Sequence, residues 1–463
     1  MGEIAYNQDF AEELEELKDK NKVVPIRDPD VARYFDGKVF IPRKLAEEIA
    51  QENPVFHDGN FLYMYEDGVY KTNAQQKIQQ IAQEKLKDEA RRNRIEETLY
   101  YLRSYRLVQP RDLNSDKSLI NVKNGLYNWQ DNVLHAHTPQ YLSTIQLNVS
   151  YDPNAESPAF NNFIHSIVQE DTIPMAIEII GYSMVLDTRL KKAIMLTGVG
   201  NNGKSVLIYA IEELLGASNI SNIELQRLEA DKFAKAQLYG KLANTFSDLS
   251  ARIMESSNAL KTITSGDVIS GEFKGRDSFS FTPAATLIFS ANEIPTSKEL
   301  DPAFFDRWVI LDLPRSFKPH EQNKNLKYEI TTEEEKSGIF NQAIEGLKRV
   351  VENGQLTPSE SSHRRKEQYQ READNVLLFV DEECVIHHNA MYPKDKLYEA
   401  YKRFCLDNGY RSLGKIKYNR RLKNKFPELK DNKRPTGSSV LYWEGIGLKA
   451  EHIADDGKGD LQI

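Results

Sequence analysis

Cysteine is almost missing from this chain. Its 463 residues hold two, Cys384 and Cys405, and neither stands in a CxxC pair. That excludes a disulfide framework and argues against a zinc site. Long apolar runs are also missing: no stretch of about 18 apolar residues occurs, so no transmembrane helix is expected. The opening residues Met1-Gly2-Glu3-Ile4-Ala5 show no basic region followed by an apolar stretch, so no secretory signal is visible and a cytoplasmic protein is expected. Nor is there an overall basic excess. The net charge of −8 argues against a protein coated by nucleic acid over its whole surface. With 40% hydrophobic and 28% charged residues, the chain has apolar content for real cores, and its length suggests about three domains.

What the chain does have is a glycine-rich turn in an informative context. Residues 191–205 contain G-x-x-x-x-G-K-S, running from Gly198 through Asn201, Asn202 and Gly203 to Lys204 and Ser205. The apolar run 193–196 predicts a buried strand. Residues 204–215 predict a helix with Val206, Leu207, Ala210, Ile211, Leu214 and Leu215 on one face. Such a strand-to-helix turn brings backbone N–H groups around a polyphosphate, and the helix N-terminus adds favourable potential. Lys204 is placed to reach the β- and γ-phosphates, and Ser205 to hold Mg²⁺. The expected ligands are therefore ATP and Mg²⁺.

A phosphate-binding turn does not say what the nucleotide energy is used for; the later motifs decide. Residues 241–248 predict a second strand ending in Asp248, 44 residues after Lys204. A carboxylate at the carboxyl end of a neighbouring strand is where Mg²⁺ and an attacking water need one. A further 44 residues on, the apolar strand 284–291 ends at Asn292, a neutral amide able to orient that water. Between them, 273–277 predict a hairpin tip carrying Phe273, Lys274 and Arg276, with Gly275 permitting the turn. One ring and two cations suit the tracking of a phosphate backbone in the central channel of a ring. Arg307, just before the apolar strand 308–311, is placed to reach a neighbouring subunit's γ-phosphate. Each feature has a plain alternative when taken alone: a strand-end Asp, a strand-to-loop exit, a solvated turn, an Arg paired with Asp306. Their order gives them weight.

In that order the motifs resemble those of the superfamily three helicases, a branch of the AAA+ ATPases found in viruses, phages and mobile elements. Within the branch, the chain is most similar to phage- and plasmid-type relatives of the poxvirus primase-helicase. It especially resembles the replication initiator helicases of staphylococcal phages and pathogenicity islands. Asn121-Val122-Lys123-Asn124-Gly125 and Glu178-Ile179-Ile180-Gly181-Tyr182 add to the resemblance, which spans roughly residues 119–449. It implies an α/β AAA+ P-loop core, with a mixed α+β N-terminal region and a C-terminal winged helix. It also implies that Lys204 and Ser205 bind nucleotide and Mg²⁺, Asp248 is the Walker B acid and Asn292 is sensor 1. Lys274 and Arg276 then lie on the channel hairpin, and Arg307 is the trans-acting finger. One departure stands out. Family members often end the second strand in two acids, whereas Ser247 precedes Asp248 here, so either Asp248 does both jobs or another acid supplies the base. Many relatives carry an upstream primase. The Asp-x-Asp at Asp28-Pro29-Asp30 falls in a predicted loop, so no primase activity is expected.

Around a motor at 188–353, the expected domains are an α+β region at 1–115, a helical collar or linker at 116–187 with helices over 157–186, a polar linker at 354–374 open to re-entering a helix, a basic module at 375–449 and a disordered acidic tail at 450–463. The first region should hold a charged helix over 10–20, a hairpin over 60–71 turning at Asp67-Gly68, and a helix over 74–104. Charge concentrates near the end: 391–449 carries 15 Lys/Arg against 6 Asp/Glu. A helix over 394–408 closed by Asn408-Gly409 is followed by a second over 413–426. Ser412 would cap the second, with Ile416, Tyr418, Leu422 and Phe426 inward. Two strands around a basic turn complete the pattern of a winged helix. Lys417, Arg420, Arg421 and Lys423 on the second helix and Arg434 in the wing are the expected duplex contacts.

The resulting expectation is an ATP-driven DNA helicase and replication initiator, working as a homohexameric ring because an arginine finger needs a neighbour. Single-stranded DNA would occupy the channel and origin duplex the C-terminal module, with replication-fork proteins as further partners and no membrane. Polarity, 3′-to-5′, rests on the resemblance alone. Two readings stay open beside it: an ATP-dependent helicase loader or DNA-remodelling switch, and a non-enzymatic DNA-binding regulator.

Overall fold

The computed structural model describes residues 27–250, 254, 256–295, 302–433 and 440–449. The helix expected over 10–20, Arg434 and the acidic tail lie outside the described residues. The chain divides into two compact units, Met1–Asn128 with Leu134–Gln146, and Trp129–Val133 with Leu147–Ile463.

In the first unit, strands Val55–His57, Leu62–Glu66 and Val69–Lys71 form an antiparallel sheet. Asp67 and Gly68 both take positive φ, 50° and 85°, as the twist-matched two-residue hairpin turn requires. Helices Pro42–Glu52, Ala74–Leu86 and Arg92–Tyr105 bury Leu45, Ile49, Ile78, Leu99 and Leu102 in one core. The single helix expected over 74–104 is thus two, broken where Lys87 turns to φ 49°. The first unit also extends past residue 115. The hairpin Leu119–Val122 and Gly125–Asn128 belongs to it, held by the Asn121 amide, which donates to the Gly68 carbonyl at 2.8 Å and the Ser143 hydroxyl at 3.0 Å. Residues 147–157 carry no helix, and the helices expected over 157–186 are Pro158–Ile167 and Ile173–Ser183.

The second unit is mixed α/β, built on a parallel sheet. Its strands are β1 (Ala193–Thr197), β2 (Ile220–Ser221), β3 (Ala243–Phe246), the hairpin β4 (Ile269–Glu272) and β5 (Ser278–Phe281), then β6 (Thr286–Ala291) and β7 (Trp308–Asp312). The hairpin stands apart, and the other five pair in the order β2-β3-β6-β1-β7, every neighbour parallel. Every residue of β1 and β6 is buried, the expected signature of strands covered on both faces. Leu287, Phe289, Trp308 and Ile310 build the core beside them.

The Glu178-Ile179-Ile180-Gly181-Tyr182 segment lies in the buried helix Ile173–Ser183, which packs on Glu333–Asn353. A side chain at Gly181 would strike the Ala343 carbonyl. The Glu178 carboxylate accepts from Arg349 Nε at 3.0 Å and from the Thr357 amide at 2.6 Å. This stretch therefore holds the scaffold together.

Residues 354–374, expected as a linker, contain the helix Glu360–Ala373. The Ser359 hydroxyl caps it, accepting from the Ser362 amide at 3.1 Å, and Ser362 Oγ donates to the Ile310 carbonyl of β7 at 2.6 Å. Polar composition hides it because one large residue, Tyr369, does most of the inward packing, against Phe305. Beyond it come helix Asn375–Glu383, β8 (Cys384–Pro393), helices Lys394–Asp407 and Lys415–Lys425, β9 (Lys430–Lys433) and β10 (Tyr442–Leu448). The three strands pair antiparallel in the order β8-β10-β9. Phe379, Leu397, Tyr401, Tyr418, Leu422 and Trp443 form the core, and Cys384 and Cys405 are buried free thiols. Two details differ from expectation. Gly414, not Ser412, precedes the basic helix, and Ile416 is 84% exposed rather than inward. No helix among the described residues is long and apolar enough to cross a membrane.

Candidate functional site

Between β1 and the helix Lys204–Leu215 the chain makes a tight turn. Gly198, Asn201 and Gly203 all take positive φ, at 140°, 59° and 90°. Gly203 at φ 90° also lies where a Cβ would meet Ile167 at 2.8 Å. The turn is tied to the segment leaving β7: Asn202 Nδ2 donates to the Leu313 carbonyl at 3.1 Å, and the Phe317 amide donates to the Asn201 carbonyl at 2.8 Å. Lys204 opens the helix and is 5% exposed. Its ammonium donates to the Gly198 carbonyl at 2.7 Å, Asn202 Oδ1 at 3.2 Å and Asn292 Oδ1 at 3.0 Å. The fold thus joins two residues 88 positions apart, the turn's lysine and the amide ending β6. Burial holds the ammonium below the ordinary lysine range, and the Asp248 and Asp312 carboxylates pull the other way.

Asp248 lies two residues beyond β3, with φ 55°, and its amide donates to Ser290 Oγ of β6 at 3.2 Å. A non-glycine residue at positive φ is uncommon, though Asp tolerates it better than most. Ser205 and Asp248 are both exposed. No cluster of three or more His, Cys, Asp or Glu able to hold a metal occurs among the described residues. Mg²⁺ does not need one, since it is commonly held by one or two carboxylates together with phosphate oxygens and water. The donor set fits a polyphosphate: a lysine held only by neutral oxygens, beside backbone in the left-handed conformation.

The structure adds an acid that sequence reading left unnamed. Asp312 ends β7 next to β1, and its Oδ1 accepts from Thr197 Oγ1 at 2.9 Å. The signal was an acid closing an apolar run, but only strand order puts it beside the turn.

Arg307 stands at the other end of the sheet. Trp308 pairs with Ala193 and Asp312 with Thr197, so Arg307 precedes the strand whose far end flanks the turn. At ~3.3 Å per residue the separation is roughly 15 Å, beyond the side chain's reach to its own turn. One guanidinium nitrogen donates to Ser265 Oγ at 3.0 Å, while its buried Nε has no partner among the described residues. Around it, Lys192 donates to the Asp306 carbonyl at 2.5 Å, and Lys366 lies 3.8 Å from the Asp306 carboxylate. Burial lowers both lysines, Asp306 opposes this, and the neighbouring cations add to the lowering.

The expected hairpin tip is present: Gly275 takes φ 78°, and Lys274 and Arg276 are exposed. Phe273 is half-buried, stacked on Phe279 at 4.9 Å with Arg276 5.9 Å from its ring. On the C-terminal basic helix the cations divide. Arg421 pairs at 2.8 Å with Asp374, itself 1% exposed, and Lys423 bonds the Pro427 and Leu429 carbonyls. Lys417 and Arg420 face solvent.

Comparisons with known proteins fall on these same segments. Residues 36–169 match the family described as D5 N terminal like, 196–307 a family of unknown function (DUF5906), and 371–446 the family described as Poxvirus D5 protein-like. The chain is 28% identical over 293 residues to "Putative helicase V13" of Sputnik virophage, covering 58% of this chain. It is 23% identical over 337 residues to "Putative helicase 121R" of Invertebrate iridescent virus 3, covering 64%. It spans 36% of the length of each of these relatives. Two apo structures of the NrS-1 C-terminal region share the fold, with TM-scores of 0.53 and 0.50. Each is 14% identical and covers 88% of this chain and 99% of its own.

Proposed function

We propose that this chain is the ATP-driven motor of a viral- or phage-type replication helicase, with a superfamily three AAA+ core and a C-terminal winged helix. Its sheet order and its helix–strand–helix–helix–strand–strand ending support that architecture. The D5-like matches and the helicase names of the viral relatives support the activity. The observation that carries the reading is the convergence of Lys204, Asn292, Asp248 and Asp312 at one end of the sheet, with Arg307 at the other.

In this reading the turn's amides and Lys204 hold the phosphates of ATP, while Ser205 and Asp248 hold Mg²⁺. The bound Mg²⁺–ATP supplies an activated γ-phosphoryl group. Asn292, fixed by its bond to Lys204, orients the attacking water, and Asp248 or Asp312 accepts its proton. A second carboxylate at the end of β7 would answer the missing second acid of β3. Arg307 cannot serve its own turn, so it serves a neighbour's. That requires a closed ring of copies, six by the family resemblance. Lys274 and Arg276 would track single-stranded DNA, and Lys417 and Arg420 would contact duplex at an origin. Translocation 3′-to-5′, self-loading at an origin and kinship with the staphylococcal initiator helicases follow the motif resemblance.

Unwinding of a forked duplex by the wild-type chain and by Lys204→Ala, with and without ATP, tests the reading. Unwinding by wild type only, and only with ATP, is expected. Hydrolysis without strand separation moves the chain to the loader or switch reading. Absence of both favours the DNA-binding regulator.

A further inference from the structure

The first unit has a cleft that no step of the proposed cycle uses. It lies between helices Pro42–Glu52 and Arg92–Tyr105, has a volume of about 520 Å³, and its lining includes Arg43, Arg103, Tyr100, Tyr101, Glu96 and Glu97. Tyr100 is 75% exposed, although the same helix turns Ile95, Leu99 and Leu102 fully inward. The ring therefore stands in water at a position where the fold gains nothing from it. Tyr101 continues the aromatic surface to the exposed Tyr105, with ring centroids 6.4 Å apart. The chain then leaves the helix through Arg106, the exposed Leu107 and Arg111, with no acid between Glu97 and Asp112. Arg103 rests on the side-chain oxygen of Gln75 at 3.3 Å, a neutral partner that a phosphate would displace at small cost.

We infer that this cleft and its exit strip bind single-stranded nucleic acid, with a base against Tyr100 and Tyr101 and the backbone along Arg103, Arg106 and Arg111. Exposed rings beside arginines are what a sequence-tolerant strand site requires, because every base has a face to stack and every nucleotide a phosphate. The mixed lining fits a base better than a bare anion. Glu96 and Glu97 offer acceptors to a ring N–H or an exocyclic amine, and the arginines offer donors to carbonyl oxygens and ring nitrogens. The site lies outside the motor, and the inference stands whether or not the motor reading does.

The test uses the full chain carrying Lys204→Ala, without nucleotide, so that nucleotide-driven binding is absent. A labelled oligothymidylate containing 5-iodouracil is titrated by fluorescence anisotropy, then crosslinked and mapped by mass spectrometry. Crosslinks at Tyr100, Tyr101 or Tyr105 are expected. So is an increase in Kd of about tenfold or more for Tyr100→Ala with Tyr105→Ala, while Tyr100→Phe with Tyr105→Phe keeps the wild-type value. Arg103→Ala should reduce the slope of log Kd against log salt concentration by about one contact. Crosslinks confined to the second unit overturn the inference, as does a Kd indifferent to the alanine pair; the latter would leave the cleft to a protein partner. A loss shared equally by the phenylalanine pair also overturns it, since stacking needs only the ring. Failure of the motor reading would show in hydrolysis and unwinding assays and leave these crosslinks untouched.

Discussion

The two ends of the five-stranded sheet carry similar groups in opposite balance. At the carboxyl end, one buried lysine is held by neutral oxygens with two carboxylates in electrostatic reach. At the amino end, Lys192, Arg307 and Lys366 gather around Asp306. The first arrangement suits a metal–polyphosphate, whose cation needs acids and whose phosphates need donors. The second has cations in excess, partly desolvated, and an outside anion would relieve it. The proposed cycle draws on both, and a single copy cannot bring them together, because the length of the strands separates them. The proposed ring of copies would bridge that separation.

The sharpest way to break the comparison is Arg307→Ala. Its kcat for hydrolysis should fall by about 10³-fold with nucleotide affinity unchanged, and mixing with Lys204→Ala chains should restore part of the rate. Phosphate release and a fluorescent-nucleotide titration read both; a matching loss of affinity would make Arg307 a structural tie to Ser265. Lys204→Ala should lower hydrolysis by about 10²- to 10³-fold and, unlike Arg307→Ala, weaken nucleotide binding in the same titration. Asp312→Asn separates the two acids of the carboxyl end. Hydrolysis falling about 100-fold at unchanged Tm assigns it the base, and an unaffected rate returns that task to Asp248.

The same contrast between paired and free cations recurs on the basic helix. Arg421→Ala leaves the buried Asp374 without its partner and should cost about 2 kcal/mol in urea unfolding. Arg420→Ala should leave stability alone and weaken duplex binding. The smallest effect concerns the helix that carries Lys366 to Asp306. The Ser361 amide, with the Ser361, Ser359 and Thr172 hydroxyls, holds the Asp171 carboxyl at about 2, below its ordinary 3.8. A lowered carboxylate stabilises the fold above its unfolded value and loses that contribution as pH falls through the folded one. Asp171→Asn should therefore flatten the Tm profile between pH 3.8 and about 2, and only slightly, because Asp171 is exposed.

Legibility followed how local each feature is. The turn at Gly198–Ser205, the strand end at Asn292, the Asp67-Gly68 hairpin and the tip at Gly275 rest on short-range rules of backbone sterics and periodicity, and each lies where those rules put it, whereas the strand expected to end at Asp248 stops at Phe246. The helix Glu360–Ala373 was legible only as a linker open to re-entering a helix, because its amphipathic signal rests largely on Tyr369. The basic helix misled in part. Composition counts charges but not partners, so Arg421 and Lys423 read the same as Lys417 and Arg420.

By itself the sequence determined that this chain has a glycine-rich strand-to-helix turn and which residues lie on it, because a glycine at positive φ and a strand-to-helix switch are written within a few positions. Tertiary structure alone decided that Asn292 would bond Lys204, that Asp312 would flank the same turn and that Arg307 would face away from it. Strand order in a parallel sheet is set by burial across the whole core, and no local pattern of residues encodes which strands become neighbours.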